Sequence, residues 1–171
     1  MADELGAFRY AFGVITDTHL NQGEDDCNSP FAVNQLANAR MRYVVRSLNA
    51  RDLAFVVNVG DLVHPVPAIP DLYRRAAACF HEQVAELRHP LYLAPGNHDV
   101  GDKPNNWAPA AGICDAYLEL WEEHFGAQFQ SFDHDGDHFV IINAEIINSG
   151  LKSEAEQRAW LEADLAANKH K

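Results

Sequence analysis

Leu53 to Val59 is a run of seven residues with a single polar side chain, Asn58, among them. A segment this apolar has no face to offer water when extended. The setting that suits it is a parallel strand covered by helices on both sides. Its neighbours repeat the demand, because Tyr10 to Ile15 and Leu91 to Ala94 are two more short apolar runs. Between them, residues 34–50 place Ala37, Met41, Val44, Val45 and Leu48 on one helical stripe. A second helix opens at Pro70-Asp71 and reaches about Arg88, with Leu72, Ala76, Phe80, Val84 and Leu87 inward. Strand, helix, strand, helix, strand predicts right-handed crossovers and an α/β sheet.

The last third reads differently. A helix over Ile113 to Phe125 ends at Gly126. Gln128 to Phe132 and His138 to Asn143 then flank Asp135-Gly136, the signature of a hairpin. Ser153 with Glu156 has the spacing of a capping box and opens a final helix carrying Trp160, Leu161 and Leu165. The polar stretches 20–33 and 101–112 are loops, and nothing divides the 171 residues into more than one domain, 1–171. A chain of this length buries a core without disulfide staples.

Charge narrows the function. With 25 acidic and 13 basic residues the formal charge is −12, which excludes a basic grip on nucleic acid or on an anionic membrane. Cys27, Cys79 and Cys114 are odd in number and far apart, as reduced thiols are. Met1 to Arg9 lacks the pattern of a signal peptide, and no apolar run approaches a membrane span. A cytoplasmic protein is expected.

Each of the three parallel strands is followed at once by metal-type ligands. Thr16-Asp17-Thr18-His19 follows the first, Asn58-Val59-Gly60-Asp61 with His64 the second, and Pro95-Gly96-Asn97-His98-Asp99 the third. Loops at the carboxyl ends of the strands form the crevice of an open α/β sheet, so three distant clusters converge on one edge. Carboxylate, imidazole and amide oxygen without thiolate suit a hard or borderline divalent cation. Asp17 and His19, two apart on an extended segment, share a face and grip one ion together. Asp61 is placed to bridge two ions, and Asn97 offers a neutral oxygen.

Asp-x-His, then Gly-Asp, then Gly-Asn-His-Asp, in this order and each after a strand, resembles the calcineurin-like metallophosphoesterase superfamily. The resemblance runs from about Phe12 to about Leu165 and extends to Ser131-Phe132-Asp133 and Gln157-x-x-Trp160-Leu161. Around Asn143-Ala144-Glu145 it is most similar to serine/threonine phosphatase-domain and purple-acid-phosphatase-like members. It implies a layered sheet flanked by helices and a centre of two divalent ions, manganese, iron or zinc. Asp17 and His19 would hold the first ion, Asp61 would bridge, and Asn97 would hold the second. His98 would protonate the leaving-group oxygen or steady the phosphoryl group, with Asp99 orienting its ring. By position alone, His64 is either a substrate contact or a rim residue, and Asn143 either a substrate contact or a structural one. The implied reaction is hydrolysis of phosphate mono- or diesters by a metal-bound hydroxide. Substrates would be a phosphorylated small molecule, a nucleotide or a phosphoprotein. The metals would then supply the positive potential that an acidic chain lacks.

The family also places three histidines later in its chain, two of them in a Gly-His-x-His segment. Here only His170 stands in the tail. The expectation is therefore an N-terminal portion of the domain, incomplete at its C-terminus, with an uncovered sheet face that invites self-association. The alternative function is a non-catalytic or impaired fragment that binds metal or a partner. Other clusters carry less. His81-Glu82 has Ala85 where a zinc-protease helix needs histidine. The run Asp133 to His138 is a solvated hairpin tip, and Arg40, Arg42, Arg46 and Arg51 line a solvated helix face.

Overall fold

The three apolar runs form one parallel sheet of order β1-β2-β3: β1 is Gly13–Ile15, β2 is Val56–Asn58 and β3 is Leu91–Leu93. Val14 pairs with Val57, and Val57 with Tyr92. The structure is a computed structural model and describes residues 6–104 and 109–171. Of the predicted loop 101–112, residues 105–108 lie outside the described ones. The regular strands are shorter than the apolar runs, although ladder bonds continue past their ends. The Ala54 N–H, for example, donates to the Ala11 carbonyl at 2.8 Å.

Helix α1, Ala37–Asn49, follows a 3₁₀ turn at Ala32–Leu36, and α2 is Pro70–Val84. Asn97–Val100 is a single turn, α3, and α4 is Asp115–Phe125. The core forms where α1, α2 and α4 meet the loops after the strands. It contains Met41, Val45, Tyr73, Ala76, Phe80, Leu118 and Trp121, together with Leu20, Leu62 and Val63. Tyr73, absent from the predicted α2 stripe, is fully buried because its hydroxyl donates to the Asp99 carbonyl at 2.9 Å.

Coverage of both sheet faces, expected for Leu53 to Val59, is not what the structure shows. Val14 is 58% exposed and Val59 49%, and with Phe12, Val57 and Ile142 they line an open groove of about 390 Å³. The hairpin β4 (Gln130–His134) and β5 (Asp137–Ile141) turns through Asp135 and Gly136, both at positive φ. Its Phe132 and Phe139 pack with Phe12 and Phe55 beside this groove, covering only part of the face.

Helix α5, Lys152–Asn168, starts one residue before the predicted box. Neither Ser153 nor Glu156 caps it; Glu154 accepts the Asn148 and Gly150 N–H groups at 2.9 and 3.0 Å. The expectation of a fold incomplete at its C-terminus is corrected here, because α5 is tied firmly to the second sheet. Gln157 donates to the Asn143 carbonyl and accepts its N–H, at 3.1 and 2.7 Å. Asp164 accepts from Ser131 at 2.8 Å and binds His138 at 2.6 Å. Among the described residues, two layered sheets flanked by five helices result.

Candidate metal centre

Backbone hydrogen bonds run in parallel between the loops after β1 and β2 and set the site. Asp17 N–H donates to Gly60 O, His19 N–H to Asp61 O and Leu20 N–H to Leu62 O, at 3.0, 3.0 and 2.9 Å. This pairing lays Asp17 and His19 alongside Asp61. The two residues meet by a route other than the extended one expected, since Asp17 and His19 take φ of 52° and 43°. Asp61 does the same at 55°. Three of the six described non-glycine residues with positive φ are thus three of the four expected ligands, a concentration of backbone strain typical of functional sites.

The loop after β3 is pressed on from the other side. A Cβ on Gly60 would lie 2.8 Å from Gly96 Cα, and one on Gly96 would lie 2.4 Å from Asp61 Oδ1. Only glycine permits this approach. The His98 N–H then donates to Asp61 Oδ1 at 2.9 Å. Asp61 Oδ2 stands 3.7 Å from His19 Nε2, and Asp17 Oδ1 stands 3.8 Å from it.

Two groups of ligand atoms result, each within 4.8 Å: Asp17, His19 and Asp61, and His19, His64 and His98. Burial pushes the His19 pKa down; Asp61 and Asp17 oppose this and His98 adds to it. His64 falls to about 4 by burial and by the neighbouring His98 and His19 rings. Both imidazoles are therefore neutral near pH 7, the form that ligates a metal. His19 Nδ1 is buried with no hydrogen-bond partner. The ring's other nitrogen, Nε2, stands beside the Asp17 and Asp61 carboxylates, and two carboxylates with a neutral imidazole are a donor set that fits a divalent ion.

Asn97 begins α3, and its Nδ2 donates to Asp102 Oδ1 at 3.1 Å, leaving its carbonyl oxygen free of that bond. Asp102 is a positioning residue that the sequence reading missed, and only its place in the loop just beyond Asn97 hinted at it. His98 Nδ1–H donates to the His64 carbonyl at 3.1 Å, so that carbonyl orients the ring. The expected partner, Asp99, is instead fully buried and accepts N–H groups of Gly96 and Leu62 at 2.9 and 3.0 Å, and of Val63 at 3.4 Å. Burial pushes its carboxyl up to about 8, against the pull of the Gly96 N–H and with the repulsion of Asp61. Asn143 is buried, its side chain spent on Gln128 and the Glu145 N–H. Glu145 in turn accepts the Lys103 N–H at 2.9 Å, just beyond α3. A cavity of about 930 Å³ between α1 and α2 is lined by none of the converging residues.

A family model described as calcineurin-like phosphoesterase matches residues 10–167. This overturns the expectation that the chain is only an N-terminal portion lacking the domain's later motifs, since the match covers nearly all of it. The chain is 28% identical over 134 residues to serine/threonine-protein phosphatase CPPED1 of Pongo abelii, and 27% identical to that of Homo sapiens. Each alignment covers 71% of this chain and 37% of the relative, so the chain spans well under half the length of these proteins. The structure of the purple acid phosphatase PPD1 from yellow lupin superposes with a TM-score of 0.56 at 20% identity. That likeness, over 91% of this chain and 27% of the other, is one of fold.

Proposed function

We propose a function from one premise: the chain belongs to the calcineurin-like phosphoesterase family. It is a metal-dependent phosphoesterase that hydrolyses phosphate mono- or diesters. The observation that carries this is the convergence of Asp17, His19 and Asp61 within 4.8 Å, beside His98. Asp17 and His19 would hold one divalent ion, Asp61 would serve both, and Asn97, its amide set by Asp102, would serve a second. When bound, manganese, iron or zinc supplies Lewis acidity and an acidified water.

The chain's own residues do the rest. His98, its Nδ1 fixed by the His64 carbonyl, presents Nε2 to the leaving-group oxygen and gives it a proton. Asp99 locks the loops after β2 and β3 together and so acts on catalysis through position. His64 meets the substrate from the same space, and Asn143 acts through the Glu145 it holds. Cations at this edge offset the formal charge of −12 and admit an anionic ester.

The relatives are named serine/threonine-protein phosphatases, which supports a phosphoprotein substrate ahead of a nucleotide or a phosphorylated small molecule. Three unpaired cysteines support a reducing, cytoplasmic setting. No described helix is long and apolar enough to cross a membrane. The single domain, residues 1–171, self-associates through its open sheet face, and a concentration-independent monomer in sedimentation velocity would contradict that part.

The test is release of p-nitrophenol from its phosphate mono- and bis-esters by the purified chain with manganese, iron or zinc. Metal-dependent turnover that Asp61→Ala abolishes is expected. Tight metal binding without turnover would replace the hydrolase with a non-catalytic metal-binding domain, and turnover indifferent to chelation would overturn the site.

A further inference from the structure

Three imidazoles at this edge, His19, His64 and His98, lie against one another. The ring centroids of His19 and His98 are 4.7 Å apart, those of His64 and His98 5.5 Å, and those of His19 and His64 5.8 Å. One nitrogen from each lies within 4.8 Å of the other two. Each ring is half-buried, and its orientation is set from behind. His64 Nδ1 lies 3.2 Å from the Asn34 side-chain amide, which Ser29 Oγ holds in turn at 3.0 Å. His98 Nδ1–H is spent on the His64 carbonyl. That leaves the Nε2 atoms of His64 and His98 without a hydrogen bond among the described residues. Histidines held at one nitrogen by an amide or a carbonyl, with the other free and the rings clustered, have the arrangement of metal ligands.

We infer that His19, His64 and His98 form a second, all-nitrogen cation position beside the oxygen-rich one, and that this position selects zinc over manganese. The inference rests on the reading of this edge as a metal centre and goes beyond it. Three imidazoles and a water complete the tetrahedral shell that zinc accepts. Bonds of about 2.0–2.1 Å to such an ion bring the donors to roughly 3.3 Å from one another, so the rings close in on binding. Manganese prefers carboxylate oxygen and gains little from nitrogen alone. His19 belongs to both groups, so zinc in the imidazole position competes with an ion held by Asp17 and Asp61. It also occupies His98 and withdraws the proton donor. Zinc in excess therefore inhibits a manganese-supported reaction, with His64 as the residue that makes this possible.

The test is calorimetric titration of the full chain with zinc and with manganese, supported by the visible absorption of bound cobalt(II) as a reporter of nitrogen coordination. His64→Ala is expected to weaken zinc binding by at least about tenfold and to bleach the cobalt bands. It leaves manganese affinity within about twofold. Asp17→Ala shows the opposite preference, weakening manganese most. Far-UV circular dichroism confirms folding, and His64→Gln repeats the measurement with a side chain of similar size. Equal affinities for zinc in wild type and both His64 variants, or parallel loss of both metals, would overturn the imidazole position. Unchanged manganese binding in Asp17→Ala would instead overturn the oxygen-rich site beneath it.

Discussion

His19 and His138 each stand between two carboxylates, and the fold treats them in opposite ways. His138 is saturated: its Nδ1 binds Asp133 at 2.7 Å and its Nε2 binds Asp164 at 2.6 Å. Those bonds favour the charged ring and raise its pKa. His19 has carboxylate oxygens of Asp17 and Asp61 at 3.8 and 3.7 Å, too far for a good hydrogen bond, and its other nitrogen has no partner. Burial keeps it neutral. The two clusters share a composition but differ in satisfaction. A histidine whose partners are all supplied by the chain holds the structure together, as His138 ties β5 to β4 and α5. One left without partners on a strained backbone is free to take a partner from outside the chain.

The contrast breaks first at Asp61. Asp61→Asn keeps a side chain of the same shape, but removes the negative charge from the shared ligand. Metal-dependent hydrolysis is expected to fall by about 10²–10³-fold, measured as kcat/KM at saturating manganese. The same kind of change at the saturated cluster, His138→Gln, leaves kcat/KM unaltered.

A second prediction sharpens the comparison within the site itself. Asp99 is a carboxylate at the metal edge that is nonetheless fully paired, with N–H donors from two loops. It belongs with His138 in kind. Asp99→Ala strands those buried donors and is expected to cost about 3 kcal/mol in urea unfolding. Misplacement of Gly96 and Asp61 then weakens metal binding as a consequence, so the loss of stability appears even in metal-free buffer.

The smallest effect concerns pH. The folded pKa of His138 is raised above its ordinary 6.5, so its contribution to stability is complete below that value and is lost as pH rises through the raised one. Asp133, bound by Lys171 and His138, and Asp164, bound by His138 and Ser131, are held below the ordinary 3.8. Their contribution is present above that value and disappears as pH falls through the depressed ones. The clasp is thus strongest in the mildly acidic range between. The thermal midpoint is expected to decline from there into the alkaline range, and His138→Gln flattens that slope. An equal slope in the variant would remove His138 from the clasp.

Much of this was legible in the sequence, for reasons that are themselves physical. The strands, helices and hairpin follow from hydrophobic period and from Asp135-Gly136, because these are local signals. Asp17, His19, Asp61 and His98 could be brought together because a parallel sheet puts the carboxyl ends of its strands on one edge. The failures lie where side chains choose partners across the fold. Asp99 was paired with its neighbour His98, whereas the structure spends it on backbone groups 36 and 37 residues away. The run Asp133 to His138 looked like a solvated tip, and distance in sequence hid Asp164, which makes His138 a tie to α5. The capping box failed because Glu154 reached back to a turn that the helical pattern does not encode. Strain at Asp17, His19 and Asp61 has no sequence signature at all.

The central claim is that Asp17, His19 and Asp61 are brought together to take a cation. Crystals of the full chain grown with manganese chloride and measured at the manganese absorption edge test it most directly. The account predicts an anomalous difference peak between the Asp61 carboxylate, Asp17 and His19, which disappears in Asp61→Asn. Well-ordered side chains at these positions with no anomalous peak between them would contradict it.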